Sequence, residues 1–285
     1  MSDVVERECP AKVNLFLRVL AREADGYHGI ETLFCRVALA DTLRITRTSA
    51  GMSLDVSGAD VGPTEKNLAW RAADAVLAAT GRRFGVAMEL EKRIPAGGGL
   101  GGGSSDAANA LIAVNQLANN AVPRAELLQM AYRLGADVPF FMMETSCALG
   151  WGHGQRLLRL PPLPTMPMLL LCPATSVPTA DAYGWIDEVR QGGGQRGSVA
   201  LDLDVLQRWS DIARLAGNDF EAPVFGRLPE VRAGFEALAG THPLLCRMSG
   251  SGSTLFAVYR NERDRDDAAS QLGSKFGKTI ATMSS

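Results

Sequence analysis

Six of the seven residues from Gly97 to Gly103 are glycine, with Leu100 the exception. No other feature restricts the fold of this chain as strongly. Such a run is almost bare of side chains and reaches backbone conformations that other residues adopt only under strain. Before it, Val86, Met88 and Leu90 alternate with other positions, as in a half-buried strand with Glu89 and Glu91 on its wet face. After Pro95 and the glycines, residues 107–114 read as a helix, with Ser104, Ser105 or Asp106 as its N-cap. Strand, glycine loop and helix N-terminus in that order present backbone N–H groups and a positive dipole end, which suits a phosphate. A flexible linker would not begin and end on such clear elements.

Three better-known glycine motifs fail. A P-loop ends in Gly-Lys-Ser/Thr, whereas Gly103 is followed directly by Ser104. Gly97, Gly99 and Gly102 satisfy the dinucleotide fingerprint, as so dense a run satisfies almost any glycine pattern. The acidic residue expected about 20 positions later is missing from Asn119-Asn120-Ala121-Val122. The His-Arg-Asp and Asp-Phe-Gly signatures of protein kinases do not occur.

Composition excludes other classes. The 285 residues carry a formal net charge of −2, with 46% hydrophobic and 21% charged residues. That balance describes a globular chain with no basic footprint for nucleic acid. The longest apolar run, residues 166–172, contains Pro167 and is far too short for a membrane span. Five scattered cysteines form no Cys-x-x-Cys pair, so neither a disulfide framework nor a zinc site is expected. The polar, acidic N-terminus lacks a signal-peptide pattern. A cytoplasmic protein is expected.

In chain order, Val13, Leu15, Leu17 and Val19 predict a strand with Lys12, Asn14 and Phe16 on its other face. Taken alone, Lys12 and Asn14 read as ordinary solvated side chains. Residues 25–28 form a turn in which Tyr27 and His28 suit either ring stacking with edge hydrogen bonding or plain surface decoration. A strand follows at 30–37, and residues 41–58 alternate like a hairpin. A helix opens at Asn67 and stops at Gly81, and another spans 124–134. Asp137 then stands either as an N-cap or as a placed general base. His153, in a glycine-rich turn, reads as structural.

From about residue 156 the texture changes. A proline-rich connector leads to the apolar strand 168–172, dividing the chain into residues 1–155 and 156–285. The glycine-rich stretch 191–197 reads as a surface loop, and helices are expected at 201–214 and 229–239. Between strands 244–248 and 254–259 lies a small-residue loop, Ser249-Gly250-Ser251-Gly252-Ser253, suited to a hairpin turn or to close backbone approach. A helix over 264–275 and a last short strand complete the chain.

Pro10-Ala11-Lys12, the run from Gly97 to Asp106, Gly135-Ala136-Asp137 and Gly250-Ser251-Gly252 together resemble the ordered motifs of the GHMP small-molecule kinases. Asp25-Gly26-Tyr27-His28 with Glu31-Thr32-Leu33-Phe34 narrows the likeness to members that act on a cytidine-diphosphate-linked methylerythritol. The resemblance implies an α+β fold, with a ribosomal-protein-S5-like N-terminal domain, a ferredoxin-like C-terminal domain and an active site in the cleft between them. It implies ATP and Mg²⁺ as cofactors and transfer of the γ-phosphoryl group to a hydroxyl. Asp137 would take the hydroxyl proton, with Lys12 holding that hydroxyl. Pro95, Gly97, Gly98, Gly99, Leu100, Gly101, Gly102, Gly103, Ser104 and Ser105 would wrap the ATP phosphates, and Asn67 would lie near the adenine. No side-chain metal cage is implied; Ser104 or Ser105 would lie near Mg²⁺. Asn14, Tyr27, His28, Thr179, Tyr183 and Gly250 would serve the acceptor, Tyr27 and Tyr183 against the cytosine ring and His28 on its edge. The implied partner is this small molecule, with no nucleic acid, no membrane, and a monomer or weak homodimer. The Gly152-His153-Gly154-Gln155 stretch departs from the family's usual glycine pair and glutamate.

Overall fold

The structure, a computed structural model, describes residues 3–23, 26–191 and 201–285. They form two compact units, each assembled from separated stretches of chain. The first comprises the chain up to Ala11, Leu39–Ala96 and Gly101–Glu144, and the second Lys12–Ala38, Gly97–Leu100 and Thr145–Ser285. Two long paired strands, β1 (Val4–Arg22) and β2 (His28–Thr48), contribute to both.

In the first unit, β3 (Met52–Ser57) leads through helix α1 (Leu68–Ala79) into β4 (Gly85–Glu91). β4 pairs parallel with β3 and antiparallel with the later half of β2. The hairpin expected over residues 41–58 is therefore absent: β4 lies between its two arms. Two physical features favour this arrangement. Val86, Met88 and Leu90 are buried, which suits a central strand, while β3 alternates between half-buried and exposed positions like an edge. The intervening α1 supplies the crossover that a parallel pair requires.

Helix α2 (Gly102–Leu117) follows the glycine run. Its N-cap is Gly101 at φ +72°, not Ser104, Ser105 or Asp106, which lie inside the first turns. The left-handed glycine turns the chain directly into the helix, and Ser105 N–H donates to the Gly101 carbonyl at 2.9 Å. Alanines from both helices, including Ala69, Ala72, Ala73, Ala107, Ala108 and Ala110, are fully buried. Helix α3 (Arg124–Leu134) lies where the sequence suggests, and a single turn that the sequence reading did not anticipate, α4 (Val138–Phe141), completes the unit.

In the second unit, the early half of β2 pairs with β5 (Cys147–Gly152), which pairs with β6 (Arg156–Arg159). A separate sheet contains β7 (Pro167–Cys172), β8 (Leu245–Met248), β9 (Leu255–Val258) and β10 (Lys278–Met283), in the order β10-β7-β9-β8. All of its pairings are antiparallel, and helices stand in the β7–β8 and β9–β10 connections. That order and connectivity is the ferredoxin-like arrangement.

The unit's helices are α5 (Thr179–Gln191), α6 (Trp209–Leu215), α7 (Glu221–Arg227), α8 (Pro229–Ala239) and α9 (Glu262–Leu272). Sequence reading located α8 and α9 but not α5 or α7. The helix expected over 201–214 breaks into a 3₁₀ turn at Val205–Gln207 and the shorter α6. Asp202 accepts from Val205 N–H at 2.9 Å, a local bond that competes with helix formation, and Trp209 is tethered through Nε1 to the Pro164 carbonyl at 2.7 Å. The loop expected at 191–197 lies, beyond Gln191, outside the described residues. No helix among the described residues is long and apolar enough to cross a membrane.

Candidate active site

Lys12 and Asn14 are not on a solvated face. In β1, residues 11–17 are buried on both sides, with Lys12 only 3% exposed and Asn14 2%. Alternation identified the shared face of these two residues but not that this face is covered. Burying an ammonium is costly without partners. Lys12 Nζ donates to Asn14 Oδ1 at 2.7 Å, Asn14 Nδ2 donates to Thr32 Oγ1 at 2.8 Å, and Thr32 Oγ1 donates to the Phe16 carbonyl at 2.7 Å. The relay fixes the amide orientation, with oxygen toward the lysine and nitrogen toward the threonine. Lys12 Nζ also lies 5.6 Å from the centre of the Phe34 ring.

The first part of the glycine run meets Lys12 within the same unit. Lys12 N–H donates to the Leu100 carbonyl at 2.9 Å. The run is clamped to the β8–β9 hairpin: Ser249 Oγ donates to the Gly99 carbonyl at 2.9 Å, and Thr254 N–H to the Gly98 carbonyl at 3.2 Å. A Cβ on Gly99 would stand 2.1 Å from the Ser249 carbonyl oxygen, and one on Gly98 would stand 2.3 Å from Thr254 Oγ1. The Ser249–Ser253 loop is thus both a hairpin turn and a place of close backbone approach. A Cβ on Gly250 would fall 3.6 Å from Lys12 Nζ, so that loop borders the ammonium.

Asn218 holds the hairpin from below. Its Nδ2 donates to the carbonyls of Met248 and Gly250, each at 2.7 Å, and its Oδ1 accepts from Phe220 N–H at 3.0 Å. Nothing in the sequence around Asn218 distinguishes it from a loop residue. Thr179, the first residue of α5, places its Oγ1 3.1 Å from Ser251 Oγ.

Tyr27 and His28, adjacent in sequence, have opposite environments. Tyr27 is 67% exposed and tilted against His153, with ring centres 5.2 Å apart. His28 is buried. Its Nε2 lies 2.7 Å from Asp187 Oδ1, and its ring stacks on Tyr183 at 5.2 Å and 12°. Tyr183 in turn packs edge-on to Phe220 at 5.0 Å. Asp187 was not singled out from sequence. The available signal was its spacing: four residues after Tyr183 it shares one face of α5.

In the first unit, the later part of the run opens α2. Ser105 is fully buried, and its Oγ has no hydrogen-bond partner among the described residues. Beneath this turn, Lys92 pairs with Asp41 and, at 2.6 Å, with Asp106. Asp41 also accepts from Ile94 N–H at 2.8 Å, tying the exit of β4 in place. Burial pushes the Asp106 carboxyl up to about 7 against the opposing pull of Lys92, with Asp41 adding to the rise. Two carboxylates around one ammonium leave one of them easy to protonate. Asn67 caps α1, its Oδ1 accepting from Ala69 N–H at 2.9 Å. Asp137 occupies the N-cap position of α4, yet its side chain makes no capping bond. The half-buried carboxylate is therefore explained by something other than the helix it precedes.

A helix N-terminus opened by a glycine run, and a buried lysine whose backbone N–H is bonded to that run, suit a protein that handles phosphate. The family comparisons agree. Residues 67–145 match the GHMP kinases N-terminal domain model and residues 200–279 the GHMP kinases C-terminal model. The chain is 39% identical over 269 residues to a 4-diphosphocytidyl-2-C-methyl-D-erythritol kinase from Deinococcus radiodurans, covering 93% of this chain and 88% of that protein. It therefore belongs to the GHMP kinases.

A relative of the same name from Moorella thermoacetica is 38% identical and covers 98% of this chain and 99% of its own. A crystal structure of 4-(cytidine 5′-diphospho)-2C-methyl-D-erythritol kinase aligns with a TM-score of 0.83 at 36% identity, covering 99% of this chain and 100% of that one. A homoserine kinase from Cytophaga hutchinsonii shares the fold, with a TM-score of 0.69 at 19% identity over 100% of this chain and 95% of its own.

Proposed function

We infer that this chain is a kinase that transfers the γ-phosphoryl group of ATP to a hydroxyl of 4-diphosphocytidyl-2-C-methyl-D-erythritol, giving the 2-phosphate in the non-mevalonate isoprenoid precursor pathway. The observation that carries this reading is identity of 38% to a kinase of that name across 98% of this chain. The geometry supplies a physical rationale. Phosphoryl transfer is governed by positioning and charge neutralisation, with little covalent chemistry for the protein to perform.

In this reading Asp137 receives the hydroxyl proton and Lys12 holds the hydroxyl, its ammonium aimed by Asn14. Pro95 and the residues from Gly97 to Ser105 wrap the phosphates, using the N–H groups at the start of α2. Asn67, with Oδ1 committed to its cap, keeps Nδ2 for the adenine. Tyr27 and Tyr183 flank the cytosine, His28 reads its edge, and Thr179 and Gly250 border the methylerythritol.

Mg²⁺ belongs to this reading as well. It commonly binds through few protein ligands and substrate phosphates, not in a full protein cage. Ser105 Oγ, which has no hydrogen-bond partner among the described residues, suits such an ion, with Ser104 beside it. When bound, the ion would neutralise charge on the phosphate oxygens. A cytoplasmic location is part of the proposal, supported by five cysteines that are all free and buried.

Asp137→Asn tests the assignment of the base. Turnover is expected to fall by roughly 10²–10⁴, the usual contribution of general-base catalysis. ATP affinity measured by calorimetry should be unchanged. Turnover within a factor of two of wild type would remove Asp137 from the mechanism.

A further inference from the structure

We propose that Asp187 is a specificity-determining positioning residue: by accepting from His28 Nε2–H it fixes the imidazole tautomer and makes the site prefer a cytosine edge to a uracil edge. This deepens the acceptor reading above and rests on it. The helix α5 supplies two constraints on one ring. Asp187 Oδ1 lies 2.7 Å from His28 Nε2, and Tyr183, one helical turn earlier, stacks on the imidazole at 12° between planes. Tyr183 is itself braced edge-on by Phe220. The ring can therefore neither tilt nor turn over without losing a contact.

A carboxylate oxygen only accepts hydrogen bonds, so Nε2 must carry the proton that it shares with Asp187. In a neutral imidazole the other nitrogen, Nδ1, is then an acceptor. Cytosine presents an exocyclic amine at its 4-position, a donor, where uracil presents a carbonyl oxygen, an acceptor. An Nδ1 acceptor pairs with the first and is repelled by the second. His28 is buried, with its side chain 5% exposed, so a mismatched pair there has little recourse to water. Asp187, with 34% of its side chain exposed, lies on the outer side of the ring and acts through the histidine.

The test uses the full-length protein and the competitive inhibitors CDP and UDP. Asp187→Leu removes the acceptor at similar size and frees the tautomer. CDP should bind roughly 10- to 100-fold more weakly, the range expected for a mispaired buried group, while UDP and ATP change little. Asp187→Asn keeps an acceptor oxygen and should recover most of the preference for CDP. Nitrogen-15 spectra of wild-type His28 should show the Nε2–H form. Equal losses for CDP and UDP in Asp187→Leu, or an Nδ1–H ring in wild type, would overturn the proposal. If CDP is preferred but no acceptor is phosphorylated, the activity reading fails alone. If phosphorylation proceeds and Asp187→Leu leaves the CDP-to-UDP ratio unchanged, the role of Asp187 fails alone.

Discussion

The two halves of the glycine run are made of the same residue for different reasons. Gly98 and Gly99 are glycine because the β8–β9 hairpin leaves no room for a side chain, the Ser249 carbonyl standing 2.1 Å from where a Gly99 Cβ would lie. Gly103 is under no such pressure: the nearest atom to its hypothetical Cβ is Leu68 Cδ1 at 3.6 Å, an ordinary contact, and the position is exposed. Gly98 and Gly99 are a packing solution, whereas Gly103 leaves a helix N-terminus bare. Glycine density in a sequence therefore signals close approach without saying whether protein or ligand does the approaching.

Three substitutions can break or sharpen that contrast. The largest effect on stability is expected from Gly99→Ala, which combines a backbone collision with a left-handed φ of +81°. The cost should be on the order of 3 kcal/mol, lowering Tm by roughly 6–12 °C for a chain of this size. A Tm unchanged in calorimetry would show that the hairpin does not dictate this glycine.

Gly103→Ala should leave stability unchanged or raise it by up to about 1 kcal/mol, since alanine is the better helix former. Its added methyl should instead raise the KM for ATP by roughly tenfold, the equivalent of one hydrogen bond to a charged group. Steady-state kinetics with ATP varied would show this. A loss of Tm with no change in KM would reverse the roles assigned to the two halves.

The smallest effect concerns the ionic cluster under α2. Asp106 titrates near 7 in the folded chain against an ordinary value of 3.8. The folded state thus binds its proton more tightly than the unfolded chain between those values. The resulting stabilisation is complete below about pH 4 and is lost as pH rises through about 7. Asp106→Asn cannot titrate, so the Tm difference between wild type and variant should drift against wild type from pH 4 to 8. A constant difference would contradict the assignment.

Much of the fold was legible in local pattern. β4, the glycine run, α3 and α8 follow from alternation and helix stops, which act within a few residues. What was missed depends on partners distant in sequence. β3 and the later half of β2 read as a hairpin because nothing local reveals that β4 inserts between them. Lys12 and Asn14 read as solvated because alternation identifies a face but not what covers it. Asp187 and Asn218 carry no motif, and their roles exist only through His28 and the Met248 and Gly250 carbonyls. The residues named from family resemblance, among them Asp137, gain from the structure a description of their surroundings, such as a carboxylate that caps no helix.

The central claim is that this chain phosphorylates a cytidine-linked sugar alcohol in preference to the acceptors of other GHMP kinases. An ADP-release assay at equal ATP with 4-diphosphocytidyl-2-C-methyl-D-erythritol, homoserine and mevalonate tests it directly. The account predicts a kcat/KM for the cytidine substrate at least roughly 10³-fold above the other two, since a site built around hydrogen bonds rejects substrates that cannot make them. Comparable rates with homoserine or mevalonate, or ADP release from neither class, would contradict it.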